Sequence, residues 1–375
     1  MLGASPKLRL QLAAHNIVLE HIMTNQKVAI IILNWNNWKE TIECLESLYQ
    51  MEYPDFDIVV VDNASEDDSI ERIKEYCRGA IIPRSKFFEY SHKNKPLIVR
   101  KYTKSESEAR IEVDEQGDKL ASSRKLTIIS NEQNCGFAEG CNTGIRFAMR
   151  YGTSYVVLLN NDTVVAPDFL RELVELAEAD LAYGFVGPKV YYYDYDGRDD
   201  VINSVGGHLI MNKGATRQIG LGQIDRGQFD KVTELDYVDG SCLLTRADVI
   251  RNIGLLDPAY FTYWEEADWC IRGRKAGYKA LYAPKSKIWH KVAASNIGFK
   301  NEYYRTRNAF WFLRKHASKG QYFSFILYFF LFRIYFFTFF LLIHGDLEKL
   351  TYFYKGVFDG IKMRQKNPPC ANHVE

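Results

Sequence analysis

Short, β-branched apolar runs alternating with stretches of helical spacing constrain this chain more than any other feature. Lys27–Leu33 (KVAIIIL) is apolar throughout after its lysine, as a strand buried on both faces requires. Trp38, Ile42, Leu45 and Leu48 follow at helical spacing. Phe56–Val61 (FDIVVV) is a second buried-strand run, and Asp67–Tyr76 a second helix. Leu126–Ile129 (LTII), a helix over Ala138–Met149 and Ser154–Leu159 (SYVVLL) continue the rhythm. This alternation predicts an α/β fold, a Rossmann-like and mostly parallel sheet flanked by helices.

Residues 84–125 interrupt the pattern with polar, charged sequence and read as an insertion, partly β and partly loose. After Pro188 the chain turns to short strands and glycine-rich loops. Asp236–Leu244 reads as a strand entering a tight turn, Ala247–Ile253 as a short helix and Glu266–Ala276 as a longer one stopped by Gly277. The division expected is an N-terminal extension over 1–22, a catalytic unit over 23–310 and a hydrophobic helical region over 311–375.

Ligands of a doubly wound sheet bind beyond the C-terminal strand ends. Here those ends are polar: Asn34, then Asp62 in VVVDNAS, then Asn160, Asn161 and Asp162 in LLNNDT. Asp62 either caps the next turn or hydrogen-bonds a nucleotide base or ribose. Asn160-Asn161-Asp162 resembles a DxD motif with Asn in first place. A diphosphate needs a divalent cation to bridge its charge, and Mg²⁺ or Mn²⁺ takes carboxylate, water and phosphate oxygens. Asp162 is one carboxylate, so another ligand has to come from elsewhere, and His290 is the candidate.

Between these ends lies Asn134-Cys-Gly-Phe-Ala-Glu-Gly-Cys-Asn-Thr-Gly144. Gly140 and Gly144 share one helical face and allow close packing on the sheet. Gly136 and the helix N-terminus are expected to offer N–H groups to an anion or a sugar hydroxyl. Further on, Tyr260–Asp268 (YFTYWEEAD) brings Glu265, Glu266 and Asp268 to a helix start, where its dipole favours acids. Alternatively, one of them is the general base for an acceptor hydroxyl.

Taken together, VVVDNAS, NxxNxGFAxGxNxG, LLNNDT, VDGSCLL and YFTYWEEADWCIRGRKAGY with a following WH resemble the family-2 glycosyltransferases of GT-A fold. The rhamnosyltransferase-like and galactofuranosyltransferase-like branches look nearest, over about residues 27–310 without the insertion. The resemblance implies an inverting transfer of a sugar from a UDP- or dTDP-sugar to an acceptor hydroxyl. It implies that Asn34, Asp62, Asn134, Gly136, Phe137, Asn160 and Asn161 line the donor site. Asp162 and His290 would hold Mn²⁺ or Mg²⁺, Glu266 would be the base with Glu265 beside it, and Asp239, Gly240 and Trp264 would face the acceptor. Two positions depart from the pattern: Asn160 removes one metal-site charge, and Glu266 stands where Asp is usual. The extra methylene displaces the carboxylate by ~1 Å, a distance that matters at a reacting centre.

Tyr322–Ile343 is 22 residues with one charge, Arg333, and sixteen Phe, Leu and Ile. Those sixteen contribute roughly −5 to −10 kcal/mol to insertion against about +2.5 to +3.5 for the arginine. The segment is long enough to span a bilayer, or to lie in its interface paired with Leu350–Ile361. Arg305, Arg307, Arg314, Lys315 and Lys319 before it predict a cytoplasmic face, by the positive-inside rule. A saccharide or lipid-linked acceptor in cell-surface glycan synthesis fits that location.

Other classes fit poorly. A net charge of +1 gives no support for nucleic-acid binding. Seven scattered cysteines without CxxC pairs argue against a disulfide framework or zinc site and for a reducing compartment. No GxGxxG follows the first strand, against a NAD enzyme, and LNWNNWKE is not the basic glycine loop of a nucleotidyltransferase. The remaining alternative is a non-catalytic glycan-binding or membrane scaffold on a decayed transferase fold.

Overall fold

A computed structural model describes residues 26–109, 125–292 and 300–362. The expected 1–22 extension lies outside them. In chain order the first half runs β1 (Val28–Asn34), α1 (Trp38–Leu48), β2 (Phe56–Asp62), α2 (Ser69–Arg78), β3 (Ile98–Thr103), α3 (Lys104–Glu108), β4 (Lys125–Ser130), α4 (Gly136–Arg150) and β5 (Tyr155–Asn160). The second half runs β6 (Thr163–Val165), α5 (Phe169–Glu178), β7 (Tyr183–Tyr192), β8 (Ile202–Ser204), β9 (Gly207–Ile210), β10 (Ala215–Gln218), β11 (Thr233–Leu235), β12 (Cys242–Arg246), α6 (Ala247–Ile253), α7 (Glu265–Lys275), β13 (Lys279–His290) and α8 (Lys300–His316). Then come α9 (Lys319–Ile343), a continuous helix with a π turn at Phe329–Arg333, and α10 (Leu347–Lys362).

One eleven-stranded sheet forms the centre, in the order β11-β13-β7-β12-β5-β1-β2-β4-β3, with β6 on β13 and β8 on β7. The first-half strands β5, β1, β2, β4 and β3 are mutually parallel, whereas β12 runs antiparallel to both β5 and β7. Their runs of Ile, Val and Leu are buried because helices cover both faces: Ala29 and Ile31 look toward α4, Ile30 and Ile32 toward α1. From β1 the chain moves one way to β2 and the other way to β5. A crevice therefore opens above the carboxyl ends of β1 and β5, where Leu33 is in register with Asn160 and Asn34 with Asp62.

The 84–125 stretch and the 310/311 division fall on this fold as follows. The 84–125 stretch supplies β3, an edge strand of the main sheet in parallel register with β4, along with α3. The 310/311 division falls inside α8, whose buried Phe310, Phe312 and Leu313 belong to the core beside α4. Of the five basic residues there, Arg307 is buried and donates to the Ala259 and Tyr260 carbonyls. Lys315 pairs with Asp257 and Asp268.

Helix α9 begins at a capping box, with the Ser318 hydroxyl accepting from the Gln321 amide and the Gln321 side chain accepting from the Ser318 amide. Its first turns are tied down by Phe325 and Phe329, which pack on Phe310. Beyond the π turn, Tyr335, Phe336 and Phe339 are about two-thirds exposed. By length and composition, α9 alone among the described residues is apolar enough to cross a membrane.

Candidate active site

A cleft of about 740 Å³ lies over the carboxyl ends of β1 and β5. One wall carries Trp35, Asn36, Asn63, Asn134, Gly136, Phe137, Asn160, Asn161 and His290. The other carries the β9–β10 hairpin at Gly214–Gln218, then Asp239, Gly240, the turn Phe261–Trp264, and Glu265 and Glu266. The structure thus brings together eleven of the predicted site residues, both departures from the motif among them.

Asn34 and Asp62 lie behind that wall. Asn34 is fully buried and donates from Nδ2 to Asp62 Oδ1 at 2.8 Å. Its Oδ1 accepts from Thr41, whose hydroxyl also accepts from Asn161 Nδ2 at 2.9 Å. Asp62 takes the Ser65 hydroxyl at 2.6 Å and the Ser65 amide at 3.1 Å. Of the two roles open to Asp62, the turn-capping one is occupied here, and the network fixes Asn161 in the cleft. Asn36, at φ 51°, accepts from the Glu66 amide and ties the β1 loop to the β2 loop.

At the helix N-terminus three amides are engaged within the fold: Cys135 N donates to Asn63 Oδ1, Gly136 N to Asn134 Oδ1 and Ala138 N to the Phe261 carbonyl. Asn134 is thus a cap rather than a free donor. Asn63, which the sequence pattern did not single out, joins three loops by also bonding Asn131 and Asn134. Gly136 is obligatory: its φ is +75°, and a Cβ there would meet the Phe261 ring at 2.5 Å.

Asp162 is buried, and neither carboxylate oxygen has a hydrogen-bond donor among the described residues. His290 Nε2 stands 3.1 Å from Asp162 Oδ1, close enough to pair but outside hydrogen-bond alignment. Burial lowers the affinity of the His290 ring for a proton, but the Asp162 carboxylate more than reverses this and its pKa rises. Asn160 Nδ2 lies 3.5 Å from the same nitrogen. Lys291, held by Glu40 and Glu43 of α1, fixes the chain just beyond His290. An orphaned buried carboxylate beside an imidazole suits a divalent cation. Among the described residues no third His, Cys, Asp or Glu joins them.

The opposite wall is strained. Phe261, Tyr263 and Trp264 all have positive φ, at 66°, 66° and 79°. Each such residue costs about 1–3 kcal/mol, so the turn persists only if its surroundings hold it. Asn308 and Arg307 of α8 do so, the Asn308 amide reaching the Tyr260, Thr262 and Tyr263 carbonyls at 2.8–2.9 Å. Trp264 donates to the Arg305 carbonyl and packs on Phe312. Immediately afterwards α7 starts, and its first residues are Glu265 and Glu266.

Burial, reinforced by Asp239, pushes the Glu266 carboxyl up to about 7. Glu265 is more deeply buried and raised further, by burial and by Glu266, and its Oε2 has no partner among the described residues. Asp239 is oriented by Gln218 Nε2 and the Ser241 amide. Asp268 has a different task. Burial would raise its pKa, but His316, Arg272 and Lys315 pull it well below the usual carboxylate range. It locks α7 to α8 and is not exposed to the cleft.

Comparison with known proteins gives the family and the fold. The family described as "Glycosyltransferase like family 2" matches residues 92–315, and "Glycosyl transferase family 2" matches 29–96. The chain is 25% identical to the dTDP-rhamnosyl transferase RfbF of Shigella flexneri over 209 residues, 53% of this chain and 67% of that protein. It is 24% identical to the low-salt glycan biosynthesis hexosyltransferase Agl10 of Haloferax volcanii over 185 residues, 48% of this chain. The chain spans only 56% of that relative's length. The mannosyltransferase PcManGT of Pyrobaculum calidifontis, solved with GDP-Man and Mn²⁺, shares the fold at TM-score 0.50 and 14% identity, covering 93% of this chain and 82% of its own.

Proposed function

The chain belongs to the family-2 glycosyltransferases, and from that premise we propose that it transfers a sugar with inversion from a UDP- or dTDP-sugar to an acceptor hydroxyl, with Mn²⁺ or Mg²⁺. The observation that carries the assignment of roles is the two-walled cleft. A carboxyl poised near 7 stands on one wall, and His290, backed by the donor-less Asp162, stands on the other. Family membership leaves the non-catalytic scaffold without support.

In this reading the nucleotide lies along the wall of Trp35, Asn36, Asn63 and Asn134. Trp35 is 41% exposed there and offers a stacking face. Asp162 and His290 would hold the divalent ion, which when bound stabilises charge on the departing nucleoside diphosphate. Asn160 and Asn161 orient diphosphate oxygens without adding negative charge. Glu266 takes the proton of the acceptor hydroxyl, and its raised pKa matches it to that task at neutral pH. Asp239 disfavours the ionised form of Glu266 and so strengthens it as a base. The freed oxygen attacks the anomeric carbon opposite the leaving group.

The same reading places the protein at the cytoplasmic face of a membrane. Arg333 donates to the Gly214 carbonyl of the catalytic hairpin. Ten residues, Ile334–Ile343, follow it in α9, a reach of ~15 Å against the ~30 Å of a hydrocarbon core. This favours a helix dipping into one leaflet over one that spans it.

Hydrolysis of a panel of UDP-, dTDP- and GDP-sugars with Mn²⁺ or Mg²⁺ tests the proposal, beside Asp162→Ala and Glu266→Ala. Metal-dependent release from one donor, lost in Asp162→Ala, is expected. No release from any donor, together with no nucleotide binding by calorimetry, would sink it.

A further inference from the structure

Arg333 is the lone charge of the apolar stretch Tyr322–Ile343, and it lines the cleft. It lines the same cavity as Glu266 and Asp239, on the side of the β9–β10 hairpin. Phe325 and Phe329, before it on α9, turn into the protein core. The π turn that follows ends at Arg333, and the helix beyond presents Phe336 and Phe339 outward. A π turn inserts one residue and so changes the face the helix presents; such turns recur at functional sites.

The guanidinium is poorly satisfied. It has five N–H donors, and Gly214 O at 3.1 Å is the acceptor it reaches among the described residues. No carboxylate among those residues lies within ion-pair distance of it; Glu302 acts on it only from farther away. A second cation, Arg305 of α8, lines the same cleft, exposed and stacked over the Tyr263 ring at 4.6 Å. It too has no carboxylate partner among the described residues. Two arginines that line one cleft without an ion-paired carboxylate offer forked donors to an anion. The diphosphate of the donor is already provided for by the Asp162–His290 wall.

We propose that Arg333, with Arg305, holds the phosphate or diphosphate of an amphiphilic acceptor whose apolar chain lies along the exposed face of α9. The inference rests on the transferase reading and names the acceptor class for it: a saccharide joined through phosphate to a long lipid. The apolar chain stays beside Phe332 and Phe336 while the anion reaches Arg333. The sugar hydroxyl then extends toward Glu266. One helix therefore both attaches the enzyme and measures where the head group sits.

The test is calorimetric, on the full chain without divalent ions so that the metal wall is silent. The probes are dodecyl diphosphate below its micelle-forming concentration, neutral dodecyl maltoside, and inorganic pyrophosphate. Dodecyl diphosphate is expected to bind most tightly, and Arg333→Gln to weaken it by about 10–100-fold, the loss of one or two charge-assisted hydrogen bonds. Dodecyl maltoside binding is expected to be unaltered by the substitution. Arg305→Gln, at an exposed position that does not threaten folding, is expected to weaken the same probe severalfold and carries the test if Arg333→Gln fails to fold. Equal binding of dodecyl diphosphate by both variants and the parent overturns the inference, as does pyrophosphate binding as tightly as the alkyl form. Donor hydrolysis without selective alkyl-diphosphate binding overturns this inference alone. Selective binding with no donor hydrolysed and no nucleotide bound overturns the transferase reading and leaves the anion site standing.

Discussion

Asn308 Nδ2 stands 2.8 Å from the carbonyl oxygen of Tyr263 and keeps the entrance to the base helix in a conformation its residues disfavour. Asn308 is fully buried, so removing its amide strands carbonyls that water cannot reach. Asn308→Ala is expected to cost about 1–3 kcal/mol of stability, read as a lower unfolding midpoint. It is also expected to lower kcat more than it raises donor KM, because the loosened turn misplaces Glu266 and leaves the nucleotide wall alone. Unchanged kcat with a lowered midpoint would make Asn308 purely structural.

The pH profile follows from Glu266. A base acts only when ionised, and burial lifts this carboxyl to about 7. Transfer is expected to rise with pH through about 7 and level off above it, and Glu266→Gln to lose ~10²–10⁴-fold. Stability moves the other way. A carboxyl raised in the folded state binds its proton more tightly there than in the unfolded chain. Its contribution is intact below its ordinary value of 4.5 and is lost as pH rises through about 7. Glu266→Gln is therefore expected to unfold at a higher temperature than the parent at pH 8, a difference that shrinks at pH 5. Calorimetric scans at the two pH values check the sign.

Metal binding tests the other wall. With two protein ligands, Asp162 and His290, the ion depends on diphosphate oxygens for the rest of its shell. Mn²⁺ titrated with inorganic pyrophosphate present is expected to bind well above its affinity for the protein alone. Asp162→Asn removes the carboxylate's charge and is expected to weaken it by ~10²-fold, at the upper end of losses seen around metal sites. Manganese resonance signals give the free ion directly. Affinity unaffected by Asp162→Asn would place the metal elsewhere.

Helix α9 makes a prediction of its own. Phe332 and Phe336 are 65% and 71% exposed, so replacing them leaves the core untouched. Each Phe→Glu change costs roughly 3 kcal/mol where the side chain meets hydrocarbon. Phe332→Glu with Phe336→Glu is expected to release the protein from anionic vesicles in a flotation assay while the unfolding midpoint holds. Retention on vesicles would mean that another surface attaches the protein.

The fold was legible because its strands are buried on both faces and their sequence states it outright. β1, β2 and β5 begin or end within a residue of expectation. Edge strand β3 was hidden, since IVRKYT is polar on the solvent side and carries no such run. The cleft's membership could be read from polar strand ends, but direction could not. Asn34 and Asp62 satisfy each other because a buried amide takes the nearest partner and spacing does not say which, whereas Asp162 is buried beside His290 with no donor among the described residues. The contacts of Asn308 and Arg333 were not legible because each acts across a long sequence gap, although Arg333 stood out as the one charge of its segment.

The interlock of Gly136 with Phe261 bears on how the chain is made. The Ala138 amide needs the Phe261 carbonyl, and the Phe261 ring fills the place of the missing Cβ of Gly136. During synthesis the parallel half of the sheet emerges first, yet the loop leading into α4 cannot close until a segment about 125 positions later leaves the ribosome (261 minus 136). Contacts of such separation slow folding. A chain arrested before Phe261 would carry its parallel strands with the loop into α4 unfinished, so the cleft would be completed only late in synthesis.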